Sequence, residues 1–345
     1  MSEMPPSPIR RPTPPPPPPQ PIVIRRQGGS LFARLLFLLL LVSIVANVGM
    51  YLSYREYFTT GTEPIEKFQS GDRLAVDKIA VINVSGTIMP PFTERILRAI
   101  RHARKDENVR GIILSVDSPG GLVADSHQIY HRLKQLAEEK PIFVVMKRIA
   151  ASGGYYIAMG AGTGTKIFAE PTTWTGSIGV IIPHYDLSGL AEKWNVKSEP
   201  LKTGEFKDSL SPFRPLTKRD RAVWDAILDD AFQKFVAVIA ENRPKLDAAA
   251  VKKLATGQVY TADQALANGL VDQLGYEDDA IGELKKKLGL AEVRVVRYEF
   301  RPALIDLLTA SVEANQPETR WRAMMESTVP RAMYYCSWAP GLPNW

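Results

Sequence analysis

Cysteine is nearly missing from this chain: Cys336 is the single one among 345 residues. That excludes an internal disulfide and every cysteine-rich metal site. It leaves the compartment open, because an exported domain can do without disulfides. Histidine is scarce too, with His102, His127, His131 and His184. His102 stands in a charged helical stretch (RHARKDE), and His127 and His131 are four residues apart. That spacing suits a metal, but no HExxH glutamate lies between them, and a solvated or partly buried surface role fits each better. None stands in a glycine-flanked setting, although counting alone does not exclude a Ser–His–Asp triad. Also missing is any stripe of Lys and Arg interleaved with aromatics. The formal charge of +6 owes most to Arg10, Arg11, Arg25, Arg26 and Arg34, set against Glu3. The remainder is nearly balanced, which argues against nucleic-acid binding.

What is present begins with proline. Residues 1–30 are dominated by it, with Pro14 to Pro19 unbroken, so this tail favours an extended, solvated polyproline conformation. The character then changes abruptly. From Leu35 to Tyr54 no charge occurs (LLFLLLLVSIVANVGMYLSY), the length a helix needs to cross a bilayer. No small-x-small cleavage site closes this run, so it reads as a retained anchor rather than a removed signal. Arginines crowd its N-terminal side, which predicts a cytoplasmic tail and an extracytoplasmic remainder. The expected organisation is a tail over 1–34, a membrane helix over 35–54 and a polar linker over 55–74. A globular domain follows over 75–290, then an extension over 291–345 carrying Trp321, Trp338 and Trp345, whose structure the sequence does not indicate.

With 45% hydrophobic and 23% charged residues, a packed core is within reach. Apolar runs at Ile79–Val84, Val109–Val116 and Ile142–Met146 suit buried strands, and shorter ones are expected at Ile167–Ala169 and Ile178–Ile182. Helical spacing fills Thr93–Ala103 and Asp125–Glu138. A longer helix is expected over Thr217–Glu241, opened by a capping box of Thr217 and Asp220. Its stripe of Val223, Ile227, Ala231, Phe235 and Val238 reads as core packing. Strands alternating with helices indicate an α/β fold with a parallel sheet.

Two glycine-bearing turns bear on chemistry. In V-D-S-P-G-G (116–121) an apolar strand ends in a sharp turn that opens a helix. Consecutive glycines let backbone N–H groups face outward, as a developing oxyanion requires, although an ordinary strand-to-helix turn looks the same. In A-S-G-G-Y-Y (151–156) a serine follows a strand and begins a helix; alone, Ser152 serves equally as a cap or as an exposed nucleophile. Downstream stand T-G-S-I-G-V (175–180) and G-E-F-K-D (204–208). A lysine replaces histidine as base only if its amine is neutral near working pH, which burial beside the serine would achieve.

The order SPGG, ASGGYY, TGSIGV, GEFKD, closing with GQVYTADQALANGLVD at 257–272, resembles the signal peptide peptidase A family over roughly 75–290. The resemblance implies Ser152 as nucleophile, Lys207 as general base, Ser177 as the residue orienting the lysine, and the Gly121 N–H in the oxyanion hole. Lys202, five residues before Lys207, is expected to be exposed and dispensable. The implied fold is a Clp protease/crotonase-like spiral of repeated β-β-α units, preceded by one transmembrane helix. With one copy of the motif set, the chain resembles the short members. The expectation is then a homo-oligomeric ring in which one subunit supplies the serine and its neighbour the lysine. The implied activity is acyl-enzyme hydrolysis of signal peptides and other membrane-embedded or exported peptides, without a cofactor or metal, at the inner membrane with the catalytic domain periplasmic. Three rivals share features: a crotonase-like acyl-CoA enzyme, which would need the cytoplasm; an inactive scaffold, which would lack the serine or lysine; and a related peptidase serving stomatin-like membrane proteins, which the dyad alone does not distinguish.

Overall fold

A computed structural model describes residues 31–59, 63–300 and 333–335. The proline-rich tail, Cys336 and the three C-terminal tryptophans lie outside the described residues. The chain divides into two compact units, residues 1–52 and 53–345. The first contains most of α1 (Leu31–Thr59), a 29-residue helix. Its stretch Leu31–Tyr51 has a mean hydropathy of 2.5 and is long and apolar enough to cross a membrane.

The second unit is a twisted sheet with helices on both faces. Its elements start with β1 (Ile65–Gly71), β2 (Lys78–Ser85), α2 (Phe92–Lys105), β3 (Val109–Ser118), β4 (Gly120–Leu122) and α3 (Val123–Ala137). There follow β5 (Ile142–Ala151), α4 (Gly153–Ala158), β6 (Ile167–Ala169), β7 (Trp174–Gly176) and α5 (Ser188–Lys193). The rest comprises α6 (Lys218–Asn242), α7 (Ala248–Leu254), β8 (Val259–Thr261), α8 (Ala262–Ala267), β9 (Gln273–Leu274), α9 (Glu277–Leu288), β10 (Arg294–Glu299) and β11 (Met333–Tyr335). The main sheet runs β1-β10-β2-β3-β5-β6-β9, with β7 branching from β5 and pairing β8. From β10 through β9 the neighbours are parallel; β1–β10 and β7–β8 are antiparallel.

The central strands are apolar without interruption because both faces are covered. Ala80, Ile82, Ile112, Leu114, Val144 and Met146 face one core, which α2, α3, α4 and α6 close. Ile79, Val81, Ile113, Phe143 and Val145 face the other, closed by Ala280, Ile281 and Leu284 of α9. Helix α2 shows how the sequence achieves this: Ile96, Ala99, Ile100 and Ala103 recur at helical spacing and are buried, while Glu94, Arg95, Arg98, Arg101, Arg104 and Lys105 carry charge on the other positions.

Several expectations need correcting. The polar segment 55–74 is not simply a linker, because it contains β1, and the sheet extends past 290, because β10 inserts between β1 and β2. β1 lies at the sheet's edge and β10 next to it, and both are only partly buried, so their sequences (IEKFQSG and RVVRYE) carry no continuous apolar run. No strand covers 178–182; the pairing falls earlier, on β7, and Gly176 and Ser177 at φ 83° and 48° then turn the chain away. Helix α6 has the expected capping box. Its stripe, however, packs only in its second half: Ala231, Phe235 and Val238 are buried, whereas Val223 and Ile227 are exposed. Between β7 and α6 the chain carries further exposed apolar side chains, among them Tyr185, Leu190 and Trp194.

Candidate active site

The SPGG turn is locked before anything is asked of it chemically. The Ser118 hydroxyl donates to the Gly86 carbonyl (2.6 Å) and accepts the Gly120 N–H (3.1 Å). Gly120 then takes φ 101°, a conformation open to glycine. On one edge of β4 the Ile88 N–H donates to the Gly120 carbonyl and the Leu122 N–H to the Ile88 carbonyl, both at 2.8 Å. Successive residues of a strand offer their hydrogen-bonding groups to opposite edges. The N–H of Gly121 therefore faces the other edge, where β11 runs antiparallel with Tyr334 opposite Gly121. A Cβ on Gly121 would fall 2.0 Å from the Ile88 oxygen, so the approach of these two segments requires glycine.

Ser152 follows the last paired residue of β5 and caps α4. Its N–H donates to the Gly176 carbonyl (2.7 Å) and its own carbonyl accepts the Tyr156 N–H (2.8 Å). Between these two bonds the backbone is forced to φ 54°, ψ −114°, which an L residue seldom adopts. The residue is 1% exposed, and its hydroxyl has no hydrogen-bond partner among the described residues. The next two glycines explain how this serine meets the SPGG turn. A Cβ on Gly153 would lie 3.0 Å from Gly120 Cα, 3.1 Å from Gly121 N and 2.7 Å from Ser126 Oγ. One on Gly154 would lie 2.6 Å from the Ser118 oxygen. The first turn of α4 thus packs backbone to backbone against the turn that carries Gly121.

Ser177 stands beside Ser152 through the β5–β7 ladder: Ala151 is registered with Gly176, and each serine is the next residue. Its N–H donates to the Gln258 carbonyl (2.7 Å), and it too has positive φ and is 7% exposed. Behind α4, the Tyr155 hydroxyl donates to the Leu270 carbonyl (2.8 Å). Burial pushes that phenol well above its ordinary range. The Gly269–Asp272 segment is tied in turn by Arg243, whose guanidinium donates to Gly269 O and to both carboxylate oxygens of Asp272.

Lys207 is different. It lies in a short 3₁₀ turn (Glu205–Asp208), is exposed, and its amine has no hydrogen bond or ion pair among the described residues. Its neighbours are held: Asp208 by Lys202 (2.6 Å) and Arg214 (3.1 Å), Glu205 by Arg219 (2.8 Å), and Ser209 by the Trp224 indole (2.9 Å). Lys202 is thus engaged in fixing the turn. The structure brings Ser152, Ser177 and the Gly121 N–H together within one chain, and it does not bring the Lys207 amine to Ser152. Burial of this lysine beside the serine is therefore not met within a single chain.

Among the described residues no histidine bonds Ser152 Oγ, which has no hydrogen-bond partner there. His127 bonds the Tyr156 hydroxyl (2.8 Å), and burial together with His131 and Lys234 lowers its proton affinity. Sequence reasoning missed two contributors. Ser118 sat inside a quoted motif, but its double hydrogen bond carries no sequence signal, and the three residues of β11 lay in an extension without pattern.

The model for Peptidase family S49 matches residues 134–291, and that for Clp protease matches 68–175. The fold is accordingly the Clp protease-like α/β fold. An Enterococcus faecium relative named for signal peptide peptidase SppA is 40% identical over 207 residues, 60% of this chain and 59% of its own. A Synechocystis relative named as a protease is 40% identical over 203 residues, covering 59% of this chain and 72% of its own. A solved structure of a membrane-bound stomatin-specific protease aligns with 69% of this chain and 99% of its own, at 19% identity and a TM-score of 0.45. The chain spans less than two thirds of the Enterococcus relative.

Proposed function

Because the chain belongs to peptidase family S49, a family of serine peptidases, we propose that it is a membrane-anchored serine endopeptidase. Its substrates would be signal peptides and other membrane-embedded or exported peptides, hydrolysed through an acyl-enzyme. The observation that carries this reading is the Ser152 hydroxyl, buried and unpartnered on a strained turn packed against Gly121.

In the proposed reaction Ser152 Oγ attacks the scissile carbonyl carbon while its proton passes to the neutral amine of Lys207. The carbonyl oxygen becomes an oxyanion and accepts the Gly121 N–H. Collapse breaks the C–N bond, and the lysine returns its proton to the departing amine. Water then attacks the ester, giving up a proton to the lysine, and Ser152 leaves with that proton restored. Ser177 orients the amine. The edge of β4 that β11 occupies suits an extended substrate in its place, as the seating of β11 there supports: an added strand gains backbone hydrogen bonds while its alternate side chains are read.

The lysine comes from a neighbouring copy in this reading. An exposed, unpartnered Lys207 and the exposed apolar side chains of the same segment, with Tyr185 at 72% and Trp194 at 74%, favour a shared ring over a self-contained site. Helix α1 would hold the assembly in the inner membrane, with the arginine-rich tail cytoplasmic and the catalytic unit outside. The test is labelling with a fluorophosphonate followed by peptide mapping. Modification at Ser152, absent from Ser152→Ala, is the expected result; activity and labelling that survive Ser152→Ala would refute the assignment.

A further inference from the structure

A cavity of about 350 Å³ opens along one face of α2, and none of its lining residues belongs to the site around Ser152. Arg98, Arg101 and Lys105 line it at spacings of three and four, the distance at which like charges on a helix repel. No carboxylate pairs with any of the three among the described residues, whereas Arg104 on the same helix is paired with Glu139. The Nε of Arg98, whose guanidinium lies 5.8 Å over the Phe300 ring, is moreover buried without a hydrogen-bond partner among the described residues. Three cations against two carboxylates around a cavity in the size range of small-molecule sites leave an excess of positive charge that calls for an anion. The remaining lining is informative as well. Glu94 stands one turn before Arg98, and Glu63 lies across from it, held by His102 Nδ1 at 3.2 Å. A bare anion would be repelled by these carboxylates. A phosphodiester that carries its own hydrogen-bond donor would satisfy both sets of charges.

The source of such a group follows from the chain itself. Glu63 is four residues beyond Thr59, the end of α1, and four residues reach about 14 Å at most. If α1 crosses a bilayer, this lining residue cannot lie far from the headgroups. We propose that the cavity is a phospholipid headgroup site. Arg98, Arg101 and Lys105 take the phosphodiester, and Glu63 and Glu94 accept from a headgroup hydroxyl or ammonium, as in phosphatidylglycerol or phosphatidylethanolamine. Phosphatidylcholine, which has no such donor, is the poor ligand. The proposal rests on the reading of α1 as a membrane anchor.

The experiment uses the full chain in nanodiscs of mixed phosphatidylglycerol, phosphatidylethanolamine and phosphatidylcholine, with native mass spectrometry to count the lipids that stay bound. Enrichment of phosphatidylglycerol over phosphatidylcholine by about tenfold or more is expected, since each basic side chain at a membrane surface adds appreciably to anionic lipid binding; phosphatidylethanolamine, neutral overall but able to donate to Glu63 and Glu94, should also exceed phosphatidylcholine. The combined Arg98→Ala, Arg101→Ala, Lys105→Ala variant should lose that enrichment. Its melting temperature and its cleavage of a short soluble peptide, both unchanged, would show that the fold is kept. Should that variant misfold, Arg101→Glu alone, at an exposed position, reads the same loss. Equal retention of all three lipids by the native chain overturns the proposal, as does enrichment that survives these substitutions. Binding of soluble glycerol phosphate without any lipid preference overturns the lipid source. A chain that elutes free of the nanodiscs refutes the anchor, whereas an embedded chain without headgroup preference refutes this site alone.

Discussion

The position proposed for the nucleophile should be the least stable place in the second unit, and that is measurable. Ser152 is held at φ 54°, ψ −114°, because its N–H is committed to Gly176 and its carbonyl to Tyr156. A backbone outlier of this kind costs about 1–3 kcal/mol in a residue with a Cβ. Its hydroxyl adds a second burden: at 1% exposure and without a partner among the described residues, it has lost water and gained nothing in return, worth about 1 kcal/mol or more. Ser152→Ala removes the second burden only, so it should stabilise by about 1 kcal/mol. Ser152→Gly removes both, and even after glycine's extra freedom in the unfolded chain, about 0.5–1 kcal/mol, it should exceed the alanine variant by about 1 kcal/mol. For a unit of this size each kcal/mol moves Tm by about 2–4 °C. Thermal melts and urea titrations of the three proteins, each inactive variant confirmed by loss of peptide cleavage, give the ordering Gly above Ala above Ser. A glycine variant no more stable than the alanine variant would refute the strain argument.

Other outcomes follow from the same geometry. Gly121→Ala places a Cβ 2.0 Å from Ile88 O, so β4 must shift; stability should fall by about 1–3 kcal/mol and kcat by roughly 10²–10³, read by melting and steady-state kinetics. Lys207→Ala should abolish cleavage while Lys202→Ala keeps much of it, and mixing Ser152→Ala with Lys207→Ala chains should restore activity; no recovery despite verified subunit exchange would place the whole site in one chain. Removing residues 331–345 bares the β4 edge, so kcat/KM on a short peptide should rise; an unchanged value would mean that this edge does not receive substrate. Burial alone would raise the Asp272 carboxyl, but the hydrogen bonds from Arg243 and the Ile167 N–H outweigh it and hold it below its usual range. Its contribution is thus present above about pH 4 and is lost as pH falls, and Asp272→Asn, which leaves Arg243 buried and unpaired, should cost about 3 kcal/mol near neutrality while flattening the acid limb of a stability profile.

How much of this was legible depends on where each residue's partners lie. The strands β2, β3 and β5 could be read directly, because burial on two faces leaves an apolar run that needs no knowledge of neighbours. β1 and β10 could not, because their character comes from pairing with each other across more than two hundred residues at a half-exposed edge. The same division runs through the site. Glycine pairs announced two turns that could expose a serine and a row of N–H groups. That Gly153 packs against Gly121, and that Ser177 is registered beside Ser152, are facts of tertiary packing. Composition could not place the proposed base either, since GEFKD is equally compatible with a buried and an exposed lysine.

That last ambiguity has a physical consequence for the proposed assembly. A lysine in water keeps its proton at neutral pH and cannot accept one from a serine. Only removal from water, which penalises the ammonium, makes the amine a base. In one chain Lys207 is exposed, and the turn that carries it is held firmly by Lys202, Arg214 and Arg219, so local folding alone does not supply the burial. The exposed apolar residues of the same segment and of α6, Trp194 and Ile227 among them, give a neighbouring copy a reason to cover it. Assembly and activation would then be one event. A chain diluted below its dissociation constant should retain its fold and its strained Ser152 yet lose cleavage, with specific activity falling as the concentration is lowered. Specific activity that stays constant down to concentrations where sedimentation shows only single chains would mean that the lysine reaches its own serine.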